Sequence, residues 1–253
     1  MTVRPGAEPF HSDGDDVGVL VLHGFTGNPT SMRPWAEAIA ATGRTVALPR
    51  LPGHGTTVQD MRSTRWEDWV AEADSAFHTL RAKVSTVVVC GLSMGGALAL
   101  TLAERYPAEV AGLVLVNPAV RIDDPRLVAL PVVKWLTPYL PPVGNDIKKP
   151  GVTEDAYGKI PSHALASSLA GYKGVVADLP KVTAPLLLIR SRVDHVVPAS
   201  SSALILSKVS SPDPVEIVLE DSYHVATLDN DAPTIFEKSI EFIEQVTRNR
   251  TTA

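Results

Sequence analysis

Gly91-Leu92-Ser93-Met94-Gly95 follows the apolar run Thr86 to Cys90 directly, and an Ala- and Leu-rich stretch from Gly96 to Tyr106 comes after it. A strand that turns sharply into a helix at a serine flanked by small residues is a nucleophile elbow. The turn forces the serine into a strained backbone conformation and lifts its hydroxyl clear of the sheet. The Gly-x-Ser-x-Gly spacing alone recurs by chance in loops, and its bland reading is a glycine-rich turn with no chemistry. Its weight here comes from the strand before it and the helix after it, with Gly96 expected where that helix crosses the strand at close range. A serine hydroxyl is a weak nucleophile. The chain must therefore also supply a base, an acid to orient that base, and backbone donors for a tetrahedral oxyanion.

Outward from the elbow, apolar runs alternate with helical patterns. Val17 to Leu22 and Thr45 to Leu48 read as strands with a helix from Ser31 to Ala41 between them, which makes one βαβ unit. Trp66 to Arg81 reads as a helix, Leu98 to Tyr106 as the helix after the elbow, and Leu113 to Val116 as the next strand. Beyond Pro185 the pattern resumes with strand Leu186 to Ile189, helix Ser200 to Lys208, strand Val215 to Leu219 and helix Thr234 to Val246. Continuous apolar strands alternating with helices predict an α/β class, a mostly parallel sheet covered by helices on both faces.

Between Asn117 and Pro180 the rhythm breaks. Leu127 to Val143 is strongly apolar but interrupted by Pro131, Pro138, Pro141 and Pro142, with Lys134 in its middle, so it is too short and too broken for a transmembrane helix. An insertion at this place predicts a small cap over the active-site end of the sheet; the competing reading is an irregular loop packed on the core. The expected division is a core of 1–119 and 181–253 with a cap of 120–180.

Composition narrows the function classes. The chain has 253 residues, 45% of them hydrophobic, which suits one large α/β domain. A net charge of -5 gives no basic footprint for nucleic acid, and neither zinc-like Cys/His spacing nor a phosphate-binding glycine loop occurs, so no metal and no nucleotide cofactor is expected. The lone Cys90, at the end of an apolar strand, reads as a small buried hydrophobe. Met1 to Asp16 is polar and lacks the basic start and apolar core of a secretory signal, which makes the cytoplasm the default compartment.

In such a sheet, catalytic groups gather at the carboxyl ends of the strands in the order serine, acid, histidine. Asp194 follows Leu186 to Ile189 by a short loop and precedes Val196-Val197-Pro198, a rigid return toward the next helix; Asp178 and Asp213 stand before strands and fit less well. Of the seven histidines, His11 is expected to precede the fold, His78 to lie mid-helix and His163 in the cap. His195 is adjacent to Asp194 and its ring would have to double back. His224, in the loop after Val215 to Leu219, is the expected base. The oxyanion donors are expected at the amides of Met94, which follows the nucleophile, and Phe25, in His23-Gly24-Phe25-Thr26-Gly27 after the first strand. His23 reads as a brace for that loop.

With these residues in place the chain resembles the serine α/β hydrolases, and more narrowly the bacterial monoacylglycerol lipases and their carboxylesterase relatives. The likeness spans nearly the whole chain. It is carried by the His23 to Gly27 loop, Ser31-Met32-Arg33-Pro34, Leu48-Pro49-Arg50-Leu51-Pro52-Gly53-His54-Gly55, Gly91 to Gly96, Asp194-His195-Val196-Val197-Pro198, Ser222 to Asp229, and the segment from Asp146 to Tyr157. The resemblance implies an α/β-hydrolase fold and hydrolysis of a lipid ester, foremost a monoacylglycerol. It implies that Glu154 matches the cap glutamate that contacts the glycerol hydroxyls; the alternative is a solvated surface glutamate. The apolar cap adds an expectation of transient contact with a membrane or micelle surface. Rival readings are a general carboxylesterase or thioesterase, an acyltransferase or C–C bond hydrolase, and a noncatalytic ligand-binding protein on the same fold.

Overall fold

The computed structural model describes residues 2–142 and 145–251. Along the chain its elements are β1 (Phe10–Ser12), β2 (Val17–Leu22), α1 (Arg33–Ala40), β3 (Thr45–Leu48), α2 (Val58–Arg62), α3 (Trp66–Arg81), β4 (Thr86–Leu92), α4 (Met94–Arg105) and β5 (Val110–Val116). There follow α5 (Leu130–Leu136), β6 (Tyr139–Leu140), β7 (Ile160–Pro161), α6 (Ser162–Asp178), β8 (Leu186–Ser191), α7 (Ala199–Lys208), β9 (Val215–Leu219) and α8 (Ala232–Thr251).

A 7-stranded sheet runs in the order β1-β3-β2-β4-β5-β8-β9, parallel throughout except for β1, which is antiparallel to β3. This is the α/β-hydrolase fold. The apolar strands are continuous because successive residues enter different cores. Val87 and Val89 of β4 join the layer of α3 and α4, whereas Val88 and Cys90 join that of α1 and α8. Trp35 and Trp69, one on each side, are fully buried.

Chain order reverses across the β2–β4 pair, with Leu22 opposite Gly91 in register. At such a switch point the loops leaving the two strands diverge to opposite faces and open a crevice at their carboxyl ends. The elbow lies in that crevice.

Two expectations need correction, and the competing reading of the segment after β5 fails. His11 does not precede the fold: it sits in β1, paired with Ala47 of β3, because the exposed edge of β3 accepts a short antiparallel strand. The helix after the elbow begins at Met94, immediately after Ser93. The segment after β5 is far from irregular, since it carries α5, the small antiparallel β6–β7 pair and the 17-residue α6. Helix α6 packs on α3 and α4 through Ala164, Ser168, Tyr172 and Val175, a face too mixed to mark an apolar stripe. Ser168 satisfies its buried hydroxyl by donating to the Ala164 carbonyl (3.1 Å). Of the proline-rich stretch discussed above, Val143 and Gly144 lie outside the described residues.

Candidate active site

Ser93 takes φ 56° and ψ −119°, a positive-φ conformation that a residue with a side chain adopts only when its surroundings over-determine it. They do so here. Its N–H donates to Val116 O of β5 (3.0 Å), and its carbonyl accepts from Gly96 N–H and Ala119 N–H (both 3.0 Å). A methyl on Gly95 would collide with the Leu22 carbonyl, so glycine is required there for α4 to approach β2. Gly96 instead faces Pro118, after β5, where a Cβ would fall 2.9 Å from the proline ring.

His224 comes from the loop after β9 and Asp194 from the loop after β8. His224 Nε2 lies 3.0 Å from Ser93 Oγ, and His224 Nδ1 lies 2.7 Å from Asp194 Oδ2. A carboxylate can only accept, so the proton sits on Nδ1 and the Nε2 lone pair faces the serine hydroxyl. Asp194 Oδ1 accepts Val196 N–H (2.8 Å) and Val197 N–H (2.7 Å), which fixes the carboxylate plane. Burial disfavours an imidazolium at His224. The attraction and hydrogen bond of Asp194, helped by Glu154 and Asp146, outweigh it and raise the pKa above its ordinary value.

The loop carrying Phe25 is braced from behind. Leu51 N–H donates to His23 Nε2 (3.1 Å), so Nδ1 carries the proton and donates to Gly24 O (3.0 Å). Burial lowers the His23 pKa to about 4 and keeps the ring neutral. The loop backbone lies against the nucleophile, for a Cβ on Gly24 would fall 3.4 Å from Ser93 Cβ. The Phe25 ring packs edge-on against Trp69 (5.6 Å between centroids) and shares the cavity wall with Ser93 and Gly24.

That cavity, of about 460 Å³, is walled by Ile122, Leu127, Leu165, Leu169 and Val197, with Ser93 and His224 on its floor. Glu154 also lines it. Its carboxylate presses on the loop from His23 to Gly27 so closely that a Cβ on Gly27 would fall 2.6 Å from Oε1. Desolvation raises the Glu154 pKa, with His224, the Asn145 backbone and the Ser31 hydroxyl pulling the other way. The neighbouring residues clamp its segment: Asp155 pairs with Arg4 (2.8 Å) and accepts from Asn28 Nδ2, and the Tyr157 hydroxyl donates to Gly53 O (2.7 Å).

The structure thus brings Ser93, His224, Asp194, Phe25, Met94 and Glu154 to one end of the sheet. His195 points elsewhere, its Nδ1 2.7 Å from Asp146. Residues that sequence reasoning passed over hold the loops. Asn117, itself at φ 43°, donates to His224 O (2.8 Å) and accepts from Ser191 N–H (2.7 Å). Asp229 accepts from Tyr223 N–H, Lys148 N–H and Lys149 N–H. Their only sequence signal was position, at a strand end and within the His224 motif.

The serine aminopeptidase S33 family profile matches residues 16–231. A thermostable monoacylglycerol lipase from Bacillus sp. (strain H-257) is 45% identical over 95% of this chain and 95% of its own. A carboxylesterase from Bacillus subtilis (strain 168) is 26% identical over 94% of this chain and 97% of its own. Among solved structures, one described with the metagenome-derived lipolytic enzymes LipS and LipT superposes with a TM-score of 0.94 at 44% identity, covering 96% of this chain and 100% of that one.

Proposed function

We propose, from the premise that this chain belongs to the serine aminopeptidase S33 family and is a serine ester hydrolase, that it cleaves monoacylglycerols to glycerol and a fatty acid through an acyl-enzyme on Ser93. The observation that carries the reading is the hydrogen-bonded line from Asp194 through His224 to Ser93, opening on an apolar cavity into which Glu154 reaches. Relatives that are a monoacylglycerol lipase and a carboxylesterase support it.

His224 Nε2 takes the Ser93 proton as Oγ attacks the ester carbonyl. The resulting oxyanion accepts from the amides of Phe25 and Met94, each such donor being worth about 2.7–4 kcal/mol in the transition state. Asp194 holds the tautomer and stabilises the imidazolium. The imidazolium then protonates the glycerol oxygen as its bond to the acyl carbon breaks. Water enters, gives its proton to His224 and attacks the acyl-enzyme; collapse returns the proton to Ser93 and frees the fatty acid. Glu154 accepts the glycerol hydroxyls, since one carboxylate takes hydrogen bonds from both ends of a diol.

Segment 120–180 serves as the cap. Its outer surface carries Val128 (83% exposed), Leu136 (78%), Trp135 (75%) and Val132 (66%), a concentration of apolar side chains suited to transient contact with a micelle or membrane interface. No helix among the described residues is long and apolar enough to cross a membrane.

The test is the specificity constant for 1-monoacylglycerols against ethyl esters of the same acids, with Ser93→Ala as blank. A preference for the monoacylglycerol that Glu154→Gln erodes is expected. Equal rates on both esters would make this a general carboxylesterase, and turnover independent of Ser93 would overturn the reading altogether.

A further inference from the structure

Asp194 and His224 arrive on separate loops, from β8 and β9, and their 2.7 Å contact depends on how those loops are held together. One carboxylate touches both. Asp146 Oδ2 accepts His195 N–H (3.1 Å), the amide next to the acid, and also His224 N–H (3.2 Å), the amide of the base itself. Its Oδ1 lies 2.7 Å from His195 Nδ1, and its main-chain carbonyl accepts Val225 N–H (3.1 Å). The Asp146 side chain is only 15% exposed, and of its bonds the one to the His224 amide is sheltered while those to His195 lie at the surface.

We propose that Asp146 is a positioning residue for ester hydrolysis: a single carboxylate, contributed by the segment between β5 and β8, sets the acid loop and the base loop in reach of one another. The proposal rests on the reading of His224 as the base. Two N–H donors converging on one oxygen fix the separation of their backbones, and bonds to an ionised acceptor are stronger than neutral ones. The same charge acts on the chemistry. The groups facing His224 are Ser93, Asp194, Glu154 and Asp146, and the last three favour the imidazolium formed as Ser93 attacks. The segment also couples this brace to the substrate-facing side, because the neighbouring Asn145 accepts Glu154 N–H (2.9 Å) through its side chain. The carboxylate that braces the two loops and the one that lines the cavity are therefore held by a single stretch of chain.

The experiment compares Asp146→Asn and Asp146→Ala with the parent on p-nitrophenyl butyrate, a soluble ester without glycerol, recording kcat, KM, the pH profile of kcat/KM and the melting temperature. Asp146→Asn keeps an acceptor oxygen and removes the charge, so kcat should fall only a few-fold while the acid limb of the profile moves to lower pH. Asp146→Ala removes both, and kcat should fall by roughly ten- to a hundred-fold with KM nearly unchanged. A role in stability alone would lower the melting temperature and leave the acid limb of the Asn variant where it was. That outcome, or a folded Ala variant within twofold of the parent, overturns the proposal; if the Ala variant does not fold, the Asn profile decides. His224→Ala is measured alongside. Its retaining turnover would refute the assignment of the base, whereas its inactivity beside an unperturbed Asp146 pair would refute this inference alone.

Discussion

The site has a floor and a roof that are built differently. The floor stands at the ends of β2, β4, β5, β8 and β9, where Ser93, Asn117 and His224 are buried and hydrogen-bonded to neighbouring strands or to one another. The roof, between β5 and β8, adds no strand to the main sheet, yet holds most of the large exposed hydrophobic side chains among the described residues. Asp146 and Glu154 join the two, each placed by hydrogen bonds or contacts to a loop of the floor. Under the proposed function, the difference assigns positioning of the reacting atoms to the sheet and control of what reaches them to the insertion. Perturbing the floor should therefore abolish chemistry, and perturbing the roof should redistribute substrates.

The sharpest way to break that division is Ser93→Ala. Turnover of every ester should fall by roughly four to six orders of magnitude, with an unchanged circular dichroism spectrum and retained ligand binding. Residual activity much above that level would place the nucleophile elsewhere. The floor also sets the pH profile. His224 must be neutral to accept the serine proton, and its pKa lies above the ordinary imidazole value of about 6.5. Activity is thus lost as pH falls through a midpoint above that value, and an acid limb centred below it would contradict the Asp194–His224 pairing.

Gly27→Ala probes the contact between floor and roof. The new methyl would sit 2.6 Å from Glu154 Oε1 and must displace the carboxylate. The specificity constant for monoacylglycerol should drop about tenfold and that for a soluble ethyl ester by less than about threefold, in line with the usual value of one pocket contact. Equal losses on both would show that the loop as a whole had moved. Replacing the outer roof residue Trp135 with Ser should lower activity on micellar substrate about two- to five-fold and leave monomeric substrate unaffected, because only interfacial contact loses apolar area. A parallel decline on both substrates would tie Trp135 to packing instead.

The smallest expected effect lies where the roof rejoins the core. Burial, with Asp178 adding to it, raises the Glu104 pKa to about 8, and one of its buried carboxylate oxygens has no hydrogen-bond partner. A carboxyl whose folded pKa exceeds its unfolded one makes stability decline as pH rises between the two values. Glu104→Gln removes that penalty, so its melting temperature should equal or trail the parent near pH 4 and exceed it by a few degrees at pH 8. A pH-independent difference would show that Glu104 is not held protonated.

Much of the floor was legible in the linear chain. Val17–Leu22, Thr45–Leu48 and Trp66–Arg81 fall where the apolar runs and helical periodicity placed them, because strands buried on both faces are apolar throughout and α3 buries one regular stripe; the edge strand Val215–Leu219 was found by its β-branched residues although it is half-exposed. The roof was not legible. The buried face of α6 is assembled from Ala, Ser, Tyr and a single Val, and two-residue β6 and β7 leave no periodic trace. Edge strand β1 was hidden for a related reason, since Phe10–Ser12 is short, half-exposed and polar on one side.

The sequence by itself determined the class of fold, the serine at its elbow and the order in which acid and base follow, because these rest on local rules: strand periodicity, turn chemistry and the strained conformation that small neighbours permit. Only the tertiary structure decided that the carboxylate of Asp146 spans the acid and base loops, that Asn117 ties β5 to both, and that Glu154 meets Gly27 over a distance of more than a hundred residues along the chain. Such contacts depend on how separate loops pack at one end of the sheet, and a short-range pattern along the chain carries no record of that packing.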